Sequence, residues 1–405
     1  MADARHGLLR GGRKHAGLIV AACAAGTAAL PLEAQAPLRL TPGWGVDTLA
    51  VARGWGDFAW VQPVPEIYRR WRAYLEAHND GRKGPSPFWS AAEQAKWPDY
   101  DLAGMQALQG GQPTVLDIRP ASPGDTSAYV VKTLFARLVG DRSPAVKPIA
   151  LSRVYAVRER GQWVFANALP RLTREWARER VGPITYVVQP GHRFDRGRAA
   201  AAVQFADSVA SAFGAPRLAR LTYYLTDSPD EMHRIMGLDW FVTGGTRGGG
   251  YSRSADRLVF SGDPIVGEAY LHELAHFALA PILPSGSVHP MIAEGIASWL
   301  GGSLGMDYTH MMRASAEYLR AHPTVGLETV LGDNDVDVGW RPAGALLCAM
   351  VFERGGVPAV KQLLASGRTN DALRQEVGRL LGADWAAVAA AWRRQALAFS
   401  TSSSR

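Results

Sequence analysis

The stretch that decides the fold of this chain is EAYLHELAHF, residues 268–277. Small and apolar residues alternate here in a pattern that predicts a helix, which Pro281 ends. Residues four apart lie on one face of a helix, so the imidazoles of His272 and His276 can reach one ion. Glu273 is rotated by about 100° from His272 and can touch a water on that ion without binding the ion itself. The segment therefore predicts two metal ligands and a general base.

A second helix supplies a candidate for the third ligand. Glu294 is separated from His276 by seventeen residues and lies in HPMIAEGIASWL, residues 289–300. The break between Pro281 and Pro290 is long enough for this helix to fold back on the first. A glutamate among apolar residues needs a positive partner, and a zinc site that keeps one position open for water uses three protein ligands. The alternative is an exposed glutamate near a helix start.

The residues around this pattern predict a small mixed sheet followed by helices, an α+β plan. The predicted elements are strands over 184–188, 218–225 and 257–260, helices over 195–213 and 229–236, and an almost wholly helical remainder that includes 340–354 and 385–399. We predict that this plan fills one domain, residues 181–405.

Residues 37–180 predict a second α+β domain, in which helices precede an antiparallel sheet. We expect helices over 65–78, 86–97 and 101–108, strands over 114–119, 128–139, 149–159 and 163–169, and a helix over the arginine-rich residues 171–180. The order of these elements resembles the cone-shaped folds similar to nuclear transport factor 2. The role of this domain is left open, with ligand binding inside the cone as one hypothesis.

Residues 1–36 are typical of an export signal. Basic residues, among them Arg13 and Lys14, precede an uncharged stretch over 16–30, which is too short to span a bilayer, and Ala-Gln-Ala follows at 34–36. The alternative is the lipobox-like Val-Ala-Ala-Cys at 20–23, which would leave a lipid anchor on Cys23. We expect an exported protein, periplasmic or extracellular, without a transmembrane helix once the leader is removed.

Charge and cysteine content exclude two other classes of protein. The formal net charge of +7 is not gathered into a basic cluster of the kind that nucleic-acid proteins use, so we expect no nucleic-acid partner. Of the two cysteines, Cys23 lies in the leader, so the mature chain has no internal disulfide. Cys348 lies in an apolar helical run and is expected to be a core thiol.

The His-Glu-x-x-His helix followed by Glu-Gly-x-Ala resembles the gluzincin metallopeptidases, in particular the bacterial peptidase-MA-like proteins, over roughly residues 181–390. The resemblance implies one Zn²⁺ ion bound by His272, His276 and Glu294, with Glu273 activating water. It also implies a thermolysin-like fold with an edge strand beside the site, either 257–260 or the preceding 250–252. The expected activity is hydrolysis of peptides or proteins, internal rather than aminopeptidase-like.

Two positions depart from the family pattern. Ser298 stands where gluzincins often carry an acid that orients a histidine, and Trp340 stands where related proteins carry a tyrosine that stabilises the oxyanion. The sequence offers five substitutes for that tyrosine without choosing among them, namely Tyr251, His289, Tyr308, His310 and Arg341. These departures keep open the alternative of a protein that binds zinc and peptide but hydrolyses poorly.

Overall fold

The computed structural model describes residues 50–51, 62–79, 86–96, 111–139, 145–242, 249–254, 256–283, 288–332 and 339–399, and all of them belong to one compact unit. The predicted leader, the lipidation alternative at Cys23 and the helix expected over 101–108 lie outside the described residues. The division into domains at residue 180 stays a prediction.

The first sheet is the predicted antiparallel meander, with one short strand added before it and another added from later in the chain. Its strands are β1 (Ala50–Val51), β2 (Gln112–Pro120), β3 (Ala128–Val139), β4 (Ala145–Glu159) and β5 (Gln162–Ala166), hydrogen-bonded in that order. Neighbours from β2 to β5 are antiparallel, whereas β1 runs parallel to β2. Helices α1 (Val64–Asn79) and α2 (Ala91–Lys96) accompany it. The indole of Trp71 on α1 packs edge-on against Phe165 and donates to Thr133 Oγ1 at 3.0 Å.

Two expectations in this region were wrong at element ends. The strand expected to reach residue 169 stops at Ala166, because the backbone and side-chain amides of Asn167 both donate to Glu93 and a short helix, α3 (Ala168–Leu172), follows. Residues 86–90 precede α2 as a turn, and Trp89 forms a bridge with Phe165 instead of a helical turn.

The arginine-rich stretch 171–180 is not a helix. Most of it leads into strand β6 (Ala177–Val181), which pairs antiparallel with β7 (Ile184–Val188) at the border of the second sheet. Arg178 and Arg180 are exposed there. A border strand exposes charged side chains as readily as a helix does, so charge alone could not distinguish the two.

The second sheet is mixed, as predicted, and besides β6 and β7 it contains β8 (Leu221–Leu225), β10 (Gly250–Arg253) and β11 (Leu258–Ser261). Its strand order is β10-β11-β8-β7-β6. Strands β7, β8 and β11 are parallel, while β6 and β10 are antiparallel additions at the two borders. Helices α4 (Arg196–Ala212) and α5 (Pro229–Ile235) connect these strands. Of the two candidate edge strands, β10 is the one at the border.

One strand joins the two halves of the chain. Strand β9 (Leu238–Phe241) follows α5 but pairs with β4 of the first sheet. Its Asp239 lies between Lys132 Nζ at 2.9 Å and Arg153 Nη2 at 2.5 Å. Residues beyond position 181 therefore complete the first sheet.

The rest of the described chain is helical. The helices are α6 (Leu271–Leu279), which continues as a 3₁₀ turn (Ala280–Ile282), α7 (Pro290–Gly301), α8 (Tyr308–Ala321), α9 (Leu327–Gly332), α10 (Trp340–Leu364), α11 (Asn370–Leu381) and α12 (Trp385–Ala398). Helix α10 is long and apolar enough to cross a membrane by length and composition, but more than half of its most apolar window is buried inside the fold. Its apolar character is that of a core helix, and Cys348 is fully buried in it.

Candidate metal centre

Helix α6 brings two imidazole nitrogens together. His272 and His276 are one helical turn apart, and their Nε2 atoms are 3.3 Å from each other. Both faces of this short helix are packed, so His272 is 1% exposed, and Leu274 and Ala275 are fully buried. The predicted helix and the convergence of the two histidines are present in the structure.

Helix α7 adds a carboxylate at the same point. Glu294 Oε2 lies 3.4 Å from His272 Nε2, and Glu294 Oε1 lies 3.7 Å from His276 Nε2. The glycine after Glu294 has a packing role, because a Cβ on Gly295 would come within 2.3 Å of the backbone of Gly344 on α10. Helices α7 and α10 thus touch backbone to backbone, and this contact fixes the position of Glu294.

The geometry of the three side chains fits a tetrahedral metal ion. Ligand atoms of all three residues lie within 4.8 Å of one another. Zinc binds imidazole and carboxylate at about 2.0–2.1 Å, so two ligands at tetrahedral angles are about 3.3 Å apart. The observed separations of 3.3, 3.4 and 3.7 Å are close to that value. Two imidazoles and one carboxylate are also a donor set that leaves a fourth position open.

The electrostatics of the cluster favour a cation. Burial would raise the pKa of Glu294, but its hydrogen bond with His272 and the charges of His272 and Arg341 hold that pKa well below its usual range. Burial lowers the pKa of His276, which keeps this imidazole neutral. Burial also opposes the charged form of His272, but its hydrogen bond to Glu294 and the charge of Glu273 raise its pKa. An ionised carboxylate and neutral imidazoles are the forms that bind metal, so Glu294 and His276 favour the binding form, and His272 gives up a proton when metal binds.

A backbone carbonyl orients the first histidine. His272 Nδ1 lies 2.9 Å from the carbonyl oxygen of Gly302, whereas Ser298 Oγ is 3.5 Å away. A hydrogen bond donated by Nδ1 leaves the Nε2 lone pair directed at the cluster. Gly302 has φ +74° and ψ −166°, and a Cβ there would lie 2.2 Å from Met306 O. An acid at position 298 is therefore not needed to orient His272, because the carbonyl group of Gly302, four residues later, accepts the hydrogen bond from Nδ1.

The predicted base and an adjacent tyrosine lie beside the cluster. Glu273 is 6% exposed, and its charge acts on the pKa of His272, His276 and Tyr270. The ring of Tyr270 stacks on His272 with centroids 6.0 Å apart. A Cβ on Gly250 would overlap that ring, so β10 reaches Tyr270 only because it carries glycine there. Tyr270 is a site residue that was not among the predicted ones, and its position two residues before His272 is the sequence signal for it.

Of the five candidate substrate contacts, Arg341 reaches the cluster. Its Nε lies 3.0 Å from Glu294 Oε2, and its side chain is 43% exposed. Trp340, at the position of the expected tyrosine, donates its indole N–H to Val330 O at 3.0 Å.

The other four candidates are placed differently. His289 is buried at the start of α7, where Nδ1 accepts from Met291 N and Nε2 contacts Asn370. Tyr308 packs edge-on against Phe399 and lines a separate cavity. His310 is exposed and pairs with Asp307. Tyr251 is 39% exposed on the border strand β10.

A cavity of about 830 Å³ opens beside the cluster. Glu294, Trp340 and Arg341 line one part of it, and mostly apolar side chains line the rest, including Leu304, Met306, Met311 and Tyr318. Leu304 adopts φ +51° at the tip of a tight turn closed by the pair Ser303 and Met306. A non-glycine residue in this conformation is uncommon and occurs often at functional sites.

Glu268 is turned away from the cluster. Its carboxylate accepts from Asp195 N at 2.7 Å and lies 3.1 Å from His192 Nε2, and its side chain is 2% exposed. These contacts fasten the segment before α6 to the start of α4.

No protein-family model and no curated protein matches the chain. Among solved structures it is similar to the M1 zinc metallopeptidase of Deinococcus radiodurans, with 16% identity, a TM-score of 0.31 and coverage of 71% of this chain and 63% of that one. A mutant of that enzyme bound to a Tyr-Ser-Ala substrate gives 16% identity and a TM-score of 0.32, and a two-domain M1 zinc metallopeptidase mutant bound to L-tryptophan gives 15% and 0.31. The chain spans less than two thirds of the length of these structural neighbours, which are zinc metallopeptidases.

Proposed function

We propose that this protein is a zinc-dependent peptide hydrolase of the gluzincin kind. One observation carries the proposal: His272, His276 and Glu294 direct three ligand atoms to one point at the spacing of a tetrahedral zinc site. The peptidase-MA-like sequence pattern and a donor set of three protein ligands support a hydrolytic centre over a closed structural one.

The residues around the three ligand atoms indicate the role of each group in the reaction. Zinc in such a site lowers the pKa of water towards about 7 and polarises a carbonyl group. Glu273, buried beside both histidines, accepts the proton of the attacking water and delivers it to the leaving nitrogen. Gly302 O keeps the ring of His272 in the orientation that its ligand role requires.

An extended peptide is the substrate that the surroundings fit best. Strand β10 lies at a border of its sheet and at Gly250 approaches the ring of Tyr270, which stacks on His272, so a peptide can add to it by backbone hydrogen bonds. We propose internal cleavage, because the buried carboxylate of Glu268 is already engaged by Asp195 and His192 and cannot hold a free amine. An N-acetylated peptide should then be cut at least as well as its unblocked twin.

The decisive experiment combines metal analysis with a peptide-library assay. The wild-type protein should hold one zinc ion and cleave peptides, and Glu294→Ala should lose most of the metal. Glu273→Gln should keep the metal and lose at least about 100-fold of the hydrolysis rate, since only the base is removed. Glu317→Gln, an exposed glutamate on α8, is the matched control and should keep both.

The outcomes of this experiment separate the two candidate functions. A wild-type chain that holds zinc but cleaves no peptide would support the rival, a zinc-dependent binding protein, which the engaged indole of Trp340 favours. A wild-type chain without zinc would refute both.

We also propose that the protein is exported. Expressed with its leader in a bacterium, it should be trimmed near Ala36 or at Cys23, and mass spectrometry distinguishes the two. An intact Met1 in the exported protein would contradict both sites.

A further inference from the structure

We propose that Arg341 is the oxyanion donor of this site, in place of the tyrosine that Trp340 replaces. The inference rests on the proposed function and adds a catalytic residue to it. Arg341 then has two partners, the carboxylate of Glu294 and the carbonyl oxygen of the scissile bond.

The contacts of the guanidinium allow both partners at once. An arginine offers five N–H donors in a planar fork. The contact at 3.0 Å to Glu294 Oε2 uses Nε, and the side chain remains 43% exposed. Arg341 is also the one cationic side chain among the described residues that line the cavity beside the cluster. Its terminal nitrogens are therefore available to an anionic oxygen next to Glu294.

Trp340 and three of the other four candidates are engaged or placed elsewhere. The indole of Trp340 is turned to Val330 O, and His289 is held between Met291 and Asn370. Tyr308 and His310 contact Phe399 and Asp307. Arg341 is the candidate with a direct hydrogen bond to the metal-binding cluster.

Helix packing holds the backbone from which the side chain of Arg341 extends. Arg341 lies in the first turn of α10, and Gly344, one turn later, contacts α7 so closely that a Cβ would lie 2.1 Å from Met291 O. Pro342 beside it is buried. The same contact sets Glu294 and Arg341 relative to each other, and such prior positioning lets a donor stabilise developing charge without reorganisation.

The role of Arg341 in the reaction is to balance charge. The oxygen of water forms a bond to the carbonyl carbon, its proton passes to Glu273, and the carbonyl π electrons move onto the carbonyl oxygen. Arg341 donates a hydrogen bond to that oxygen while it is negative. The carbon–nitrogen bond then breaks as the carbonyl reforms, and Glu273 gives the proton to the departing nitrogen.

The test compares three variants of the full chain. Arg341→Met removes the donors at similar length, Arg341→Lys keeps the charge without the fork, and Arg394→Met, an exposed residue on α12, is the matched control. Each is measured for zinc content, for kcat and KM on the best-cleaved library peptide, and for binding of a phosphinic analogue of that peptide. The phosphinate is tetrahedral and anionic at the scissile position, so its affinity reports on oxyanion binding without turnover.

We expect Arg341→Met to keep its zinc, to lose about 100-fold in kcat with KM changed by less than about threefold, and to bind the phosphinic peptide correspondingly more weakly. Arg341→Lys should fall between this variant and the wild type, and Arg394→Met should match the wild type. Unchanged kcat in Arg341→Met would overturn the assignment, as would loss of zinc together with activity, since Arg341 would then only hold Glu294. A wild-type protein without zinc or cleavage would overturn the proposed function itself.

Discussion

The two main hydrophobic cores of this molecule are built from different kinds of side chain. The core under the first sheet is aromatic, and several large rings are fully buried there, among them Trp71, Tyr74, Phe135, Trp163 and Phe165. The core around the metal-binding cluster combines aliphatic side chains with many alanines, among them Ala199, Ala202, Ala206, Ala278 and Ala343. The first core fills space with rings, and the second lets helices approach closely.

The difference shows what close packing contributes to a site. Beside the cluster, a Cβ on Gly301 would lie 2.5–2.6 Å from the backbone at Leu271 and His272, and Gly295 meets Gly344 in the same way. These backbone contacts hold the start of α6, the middle of α7 and the start of α10 at fixed separations. Packed rings do not fix the distance between two backbones in this way, because rotatable side-chain bonds separate each ring from its backbone. The small-residue core therefore sets the helix separations on which the positions of the charged groups depend.

The largest expected effect tests whether the two cores are independent. Phe165→Ala should lower the free energy of unfolding by about 3–5 kcal/mol, because a fully buried ring is lost and leaves a cavity. The zinc affinity of the folded fraction should not change, since Phe165 contacts Trp71 and Tyr74 and not the cluster. Urea unfolding and competition with a chelator measure the two quantities. A parallel fall in zinc affinity would show that the cores act as one.

A smaller change in the core around the cluster should lower both the free energy of unfolding and the zinc affinity. Gly295→Ala adds one methyl group against the backbone of Gly344 and should cost about 1–3 kcal/mol of stability, together with a loss of zinc affinity as Glu294 shifts. Gly326→Ala is the control, because nothing lies within 4 Å of a Cβ there, and it should stay within about 0.5 kcal/mol of the wild type. If the two variants had the same stability and zinc affinity, the contact between α7 and α10 would not position Glu294.

Local patterns predicted much of what the structure contains. The spacing of His272 and His276 placed both imidazoles correctly, because helical periodicity follows from the backbone alone. Strands such as β3 and β7 were predicted to the residue, since apolar and β-branched side chains mark them directly. Glu294 was found because a carboxylate in an apolar helix needs a partner.

What the sequence could not predict depends on contacts between distant residues. The pairing of β9 with β4 and the border position of β6 arise from the assembled sheets. In the sequence, Arg341 is one of five equivalent candidates. Only the packing of α7 against α10 brings it within hydrogen-bond distance of Glu294. Gly302 was overlooked because its function resides in a carbonyl group, which every residue has.

The smallest effect we predict concerns the group that orients His272, and it distinguishes the carbonyl of Gly302 from the hydroxyl of Ser298. Ser298→Ala should leave zinc affinity within about threefold of the wild type, because Ser298 Oγ is 3.5 Å from His272 Nδ1 and the carbonyl of Gly302 is nearer, at 2.9 Å. Gly302→Ala should weaken zinc binding by about 10–100-fold, the usual cost of losing an orienting partner, since its Cβ would meet Met306 O and turn the carbonyl away. Ser298→Asp in the Gly302→Ala background should restore part of the loss, because a carboxylate at that position can accept from the same nitrogen. Chelator competition on the three variants and the wild type gives the comparison. If Ser298→Ala weakened binding as much as Gly302→Ala, the hydroxyl would be the orienting group after all, and the backbone of the small-residue core would only shape the site.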